Sequence, residues 1–489
     1  MRRFKMILSA VLTVSLLVSF SACAERTVSP QDEPPAPTVP GRPEDETMKV
    51  TAVPDDDTSA ATPKVQPGAE TAAEQTAAPT EAPDAEPTVE PPPLELSNAE
   101  EISQTASGDL GVKREPDDRF VAAQMQFSLS LFQNIVKRSG KSENTVLSPL
   151  SVSLALAMAA NGADGKTREE IERVFGGLSI QELNEYLNGF VSLLSTDPDC
   201  RFHSANSVWY NKSGIQVKKD FLQTAADYYG ASAFQAEFAP KLTKEINEWA
   251  SDHTDGKIRQ ILNEINPEAL MYLLNAISFD AEWSKIYTKE SVNDKLFFSA
   301  NGENRTVSMM ASLETKYLED GKATGFLKSY KGNQYSFAVL LPNEDIDIQT
   351  YIESLTPETL LKTLSKPQRY DVTAELPKFT CESAGTAGSL KEILSDMGMP
   401  DAFQRSANFS KMGTPKDGDS LCLSDVIHKA VLSVGELGTS AAAVTVIEAP
   451  GSGMPVERKS VILDRPFVFA VIDNETHLPI FIGAVMDIT

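Results

Sequence analysis

Between Phe20 and Phe120 the chain carries no phenylalanine, tyrosine or tryptophan, and fifteen of its 30 prolines fall between Pro30 and Pro93. Such a stretch cannot bury enough apolar surface to offset its ordering entropy, so any core must come from elsewhere. Residues 24–93 also hold fifteen acidic side chains against four basic ones, in runs such as Glu44-Asp45-Glu46 and Asp55-Asp56-Asp57. Proline and like-charge repulsion predict an extended spacer. We therefore read residues 23–115 as a disordered, Pro/Glu/Ala/Thr-rich acidic tether and residues 116–489 as one large α+β domain. The net charge of −25 argues against a nucleic-acid partner or a membrane bound through bulk charge.

Within the domain, Met125, Leu129, Phe132 and Val136 recur at helical spacing, with Gly140 as the stop signal. Ser151 to Ala160 reads as a second, buried helix. Tyr335 to Leu341 and Phe467 to Ile472 have strand length, and Ile480 to Val485 follows a turn at Asp473–Pro479, which predicts a hairpin.

Ahead of the tether, Arg2, Arg3 and Lys5 precede an apolar run from Met6 to Val18, too short to span a bilayer comfortably. Small residues then lead up to Cys23 in Phe20-Ser21-Ala22-Cys23, which resembles a bacterial lipobox. On that reading residues 1–22 are a lipoprotein-type signal peptide, and Cys23 takes a diacylglyceryl group. Two acyl chains suffice for stable anchoring. The protein is then expected outside the cytoplasm on a bacterial cell membrane, held there by the anchor alone, or secreted if the lipobox is not used.

Enzyme chemistry finds little support. Cys23, Cys200, Cys381 and Cys422 form no CxxC pair, and the last three are expected to be buried free thiols. Four histidines without HExxH give no reason to expect a metal, and no cofactor motif is present. Ser148 lies in Leu-Ser-Pro, not in a GxSxG elbow, so no catalytic residue is assigned.

The informative segment runs from Val434 to Pro455. Small and β-compatible side chains fill its first half, and Gly and Pro crowd its second. Taken as a strand, Thr439, Ala441, Ala443, Thr445, Ile447 and Ala449 share one uncharged face, with Glu448 on the other. The segment suits an exposed loop in one state and a buried strand in another, and it equally suits an ordinary edge strand followed by a loop.

Glu436-Leu437-Gly438-Thr439-Ser440-Ala441-Ala442-Ala443 resembles the hinge of the serpin reactive-centre loop. The resemblance extends over most of residues 116–489. It is carried further by Asn144-Thr145-Val146-Leu147-Ser148-Pro149-Leu150-Ser151, Asn247-Glu248-Trp249 with Thr254 to Ile258, and Asn275-Ala276-Ile277-Ser278-Phe279 with Trp283. Val307 to Met310, Leu376-Pro377-Lys378-Phe379, Leu423 to Ala430, Asp464 to Phe469 and Pro479 to Gly483 complete it.

The resemblance implies about nine helices and three sheets, with an exposed loop able to enter a five-stranded main sheet as a sixth strand. It implies a monomeric suicide inhibitor whose partner is a serine protease, trapped covalently as an acyl-enzyme when the cleaved loop inserts. Glu436, Gly438, Thr439, Ser440, Ala441, Ala442 and Ala443 fall at the hinge. Ser148, Ser151, Asn275 and His428 match the shutter, and Trp283 and Glu436 the breach. Counting from Glu436 puts the reactive bond at Ser452–Gly453, with Met454 an alternative from the opposite end of the loop. A small residue there points to elastase-like or subtilisin-like targets. The alternative is a serpin-fold binding protein without inhibitory action.

Overall fold

The computed structural model describes residues 12–22, 98–102, 111–254, 256, 258–382, 389–439 and 457–488. Among them lie nine α-helices and three sheets. The expected helix is α1 (Asp118–Arg138), whose start is fixed by the Asp117 carboxylate accepting from the amides of Arg119 and Phe120. The second is α2 (Pro149–Ala160), buried along its whole length, with Ser148 as N-cap and Pro149 at its first turn. A helix without a polar face has to lie inside the molecule, and α2 packs beneath the main sheet.

That sheet is built from seven strands: β1 (Leu12–Ala22), β2 (Ala99–Ile102), β3 (Cys200–Asn211), β4 (Ser232–Ala236), β5 (Ala269–Ala281), β6 (Phe379–Glu382) and β7 (Leu421–Val434). Their order across the sheet is β6-β7-β1-β5-β3-β4-β2. All thirteen residues of β5 except Asp280 are buried, as expected of a central strand covered on both faces. A helix, α3 (Pro240–Asp252), lies on the outer face, where Leu242, Ile246 and Trp249 share a core cluster with Trp209 and Tyr272. The expected hairpin is present: Phe467–Asp473 pairs antiparallel with Pro479–Val485 inside a nine-stranded sheet that also holds Tyr335–Pro342. The third sheet joins Ile215–Val217 to Gly413–Pro415.

Two expectations need correction. The main sheet is not five-stranded with an open position, because β1 already occupies the place between β7 and β5. The tether also ends earlier than residue 115. Ala99–Ile102 pairs antiparallel with β4 as an edge strand, and the Arg114 amide donates to the Glu185 carbonyl at 3.0 Å. Edge pairing is made by backbone groups, so Ala-Glu-Glu-Ile gives no side-chain signal of it. Across the two strands, Gln235 Nε2 donates to Glu100 Oε2 at 2.7 Å.

Candidate functional site

Three groups of residues meet along the line where β1 lies. The first is at mid-sheet. The Ser148 amide donates to Nε2 of His428 at 3.2 Å, and the Ser151 amide to the Ser148 hydroxyl at 3.2 Å. The Ser151 hydroxyl donates to Asn275 Oδ1, while Asn275 Nδ2 donates to Asn206 Oδ1 at 2.9 Å and to Ser204 Oγ at 3.3 Å. All four expected shutter residues are therefore brought together beneath β1, and the geometry adds Asn206 and Ser204. Asn206 is a buried amide on its strand, and a buried polar group needs a partner. His428 is 2% exposed, and burial pushes its imidazole down to about 3. It is neutral at ordinary pH, with Nε2 as an acceptor.

The second group closes the top of the sheet. Trp283 Nε1 donates to the Gly435 carbonyl at 2.9 Å, its amide donates to the Leu437 carbonyl at 3.0 Å, and the Tyr287 amide donates to the Glu436 carbonyl at 2.9 Å. Trp283 stacks on Tyr330 at 4.5 Å, and the Lys328 ammonium sits 4.2 Å from the centre of the Tyr287 ring. Burial pushes the Lys328 ammonium down, opposed by Glu314 at 2.8 Å. Glu436 receives both hydrogen bonds of Lys378, at 2.9 and 3.0 Å. Burial raises its carboxyl, but the Lys378 hydrogen bond and charge outweigh that and leave it below the usual range. Trp283 thus bonds the backbone on either side of Glu436, while Lys378, Lys328 and Tyr330 are partners that sequence reasoning missed.

The third group is the start of the hinge. Gly438 bridges antiparallel to Glu282 with φ +143°, and a Cβ there would lie 2.3 Å from the Ala281 carbonyl oxygen, so only glycine fits. Thr439 is fully buried. Its amide donates to the Ala281 carbonyl at 2.8 Å and its hydroxyl lies 2.6 Å from that of Tyr330. The chain after β7 therefore turns back and is already paired with the end of β5 at Thr439. Ser440, Ala441, Ala442 and Ala443, the candidate bond Ser452–Gly453 with Met454, and Cys23 lie outside the described residues.

Cys200 and Cys381 are buried free thiols, as expected, and burial pushes both thiols up. Cys422 differs, being disulfide-bonded. Among the described residues no group of three or more His, Cys, Asp or Glu side chains is placed to hold a metal ion. Nor is any helix there long and apolar enough to cross a membrane.

Residues 122–488 match the family model described as serpin, serine protease inhibitor. The chain belongs to the serpin family. An uncharacterized serpin-like protein of Thermococcus kodakarensis is 30% identical over 380 residues, covering 75% of this chain and 85% of its own. Alpha-1-antiproteinase of Rattus norvegicus is 29% identical over 403 residues, with 80% and 94% covered. The native-state crystal structure of the thermophilic serpin tengpin superposes with a TM-score of 0.72 at 41% identity, covering 77% of this chain and 96% of that one.

Proposed function

We propose that the protein is a suicide inhibitor of elastase-like or subtilisin-like serine proteases that acts outside a bacterial cell. The protease serine attacks the Ser452 carbonyl, the Gly453 amine leaves with a proton, and the acyl ester forms. Insertion of the freed loop between β5 and β7 then carries the ester-linked protease along the sheet. Distortion of its oxyanion hole stops the water that completes hydrolysis. The observation that carries this reading is the hinge: Gly438 and Thr439 already pair with the end of β5, and only small residues follow as far as Ala443. A zipper started at one end needs no bulky side chain to enter a packed sheet.

The test is denaturing electrophoresis of the processed protein, beginning at Cys23, mixed with pancreatic elastase or subtilisin. A stable band at the summed mass supports the trap, and the N-terminal sequence of the released fragment fixes the bond. Cleavage with no such band rejects it for those enzymes. A second reading, a serpin-fold binding protein, is favoured by one observation: β1 fills the position that an inserting loop requires. It expects loop cleavage to leave heat stability unchanged.

A further inference from the structure

The strand β1 is made of residues that the sequence marks for export, yet it is a well-formed member of the main sheet. Ten of its residues pair antiparallel with β7 and ten with β5. Leu16, Leu17, Val18 and Phe20 are completely buried, the Phe20 ring meets that of Phe409 edge-on at 5.1 Å, and the Ser19 hydroxyl lies 2.8 Å from that of Ser424. The sequence shares this logic. Thr13, Ser15, Ser19 and Ser21 alternate with Val14, Leu16, Val18 and Phe20, the two-residue period of a strand.

Register identifies what this strand displaces. Gly438 faces Glu282 in an antiparallel bridge. Continued one for one down β5, that pairing sets Ala441 opposite Phe279, Thr445 opposite Asn275 and Ala449 opposite Met271. In the structure those three partners face Leu12, Leu16 and Phe20. The faces agree as well. Leu16, Val18 and Phe20 point into the main core, where the uncharged loop face with Thr445, Ile447 and Ala449 has to go. Ser19 takes the outward position of Glu448. On the other side Leu16 pairs with His428, so the segment lies directly over the shutter.

We propose that Leu12–Ala22 is an internal plug. While attached, it fills the slot that the cleaved loop needs, so the unprocessed chain is cut by a protease as a plain substrate, and removal of the segment arms the inhibitor. This inference rests on the loop-insertion reading above. Leu16 and Phe20 bury more side chain than the Thr445 and Ala449 that would replace them, so the loop does not expel β1 unaided. No covalent step is added. The arming event is hydrolysis of a peptide bond beyond residue 22, with water as co-reactant.

The experiment compares three proteins against subtilisin: the full chain made in a cytosol so that residues 1–22 are retained, the same chain carrying Leu16→Asp with Val18→Asp, and the form secreted and processed at Cys23. The plug predicts about tenfold or more covalent complex from the processed form than from the full chain. The doubly substituted chain joins the processed form, because two carboxylates cannot stay in the core face of the sheet. A synthetic peptide of residues 12–22 added to the processed form restores substrate behaviour, a readout that does not depend on the substituted chain folding. Equal complex from full and processed chains overturns the plug and leaves the inhibitor standing. If the processed form gives neither complex nor added heat stability on loop cleavage, the inhibitor reading fails, and the plug falls with it.

Discussion

His428 offers a test whose size follows from the structure. Its ring is buried with Nε2 accepting the Ser148 amide, and burial alone holds its ionisation at about 3 against an ordinary value of 6.5. Between those two values the unfolded chain binds a proton that the folded chain refuses. Stability is therefore fullest above the ordinary value and falls as pH drops toward about 3. The whole effect is about 5 kcal/mol, of which about 2 kcal/mol is lost between about pH 7 and about pH 5. His428→Gln keeps an acceptor and removes the titration. The assay is urea unfolding of both full chains at matched pH, followed by tryptophan fluorescence. Other titrating groups, including half-buried His477, are common to both and cancel in the difference. Wild type should lose its advantage over the variant by about 2 kcal/mol across that interval. A difference that stays flat would falsify the claim that His428 is folded in as a neutral, desolvated ring.

Gly438→Val should cost about 1–3 kcal/mol for its backbone conformation alone, with the clash against the Ala281 carbonyl added, and should undock the hinge; a lowered thermal midpoint and faster amide exchange at Thr439 check it. Thr439→Arg puts an unpaired charge where a hydroxyl meets Tyr330, so the processed form should change from trapping protease to being cleaved by it, read as loss of the covalent band.

Much of the fold was legible because its signals are local or strongly patterned. The helical spacing of Met125, Leu129, Phe132 and Val136, the buried run of α2 behind Ser148-Pro149 and the Phe467–Val485 hairpin all follow from period and turn chemistry. The shutter was legible only through resemblance. Nothing about His428 or Asn275 in isolation says that chain positions so far apart meet beneath one strand. Tyr330, Lys328 and Lys378 were missed for the same reason: Tyr330 and Lys378 touch the hinge, and Lys328 the Trp283 and Tyr287 rings beside it, through long-range contacts that leave no periodic mark. The N-terminal segment shows a different limit. An apolar run flanked by basic residues reads as an export signal, and the alternation that suits it to a sheet was masked by Leu17, which breaks the pattern and packs on the outer face with Trp209, Trp249 and Tyr272. The edge strand Ala99–Ile102 was illegible because backbone pairing makes it.

The account turns on whether the gap between β5 and β7 accepts the cleaved loop once β1 is gone. Thermal unfolding of the processed protein before and after limited proteolysis within 440–456 tests this directly. Insertion predicts a clear rise in the midpoint on cleavage, because a loop that was outside the sheet becomes a strand paired on both sides. A midpoint that stays where it was, or falls, would contradict loop insertion and leave the fold as a scaffold for binding.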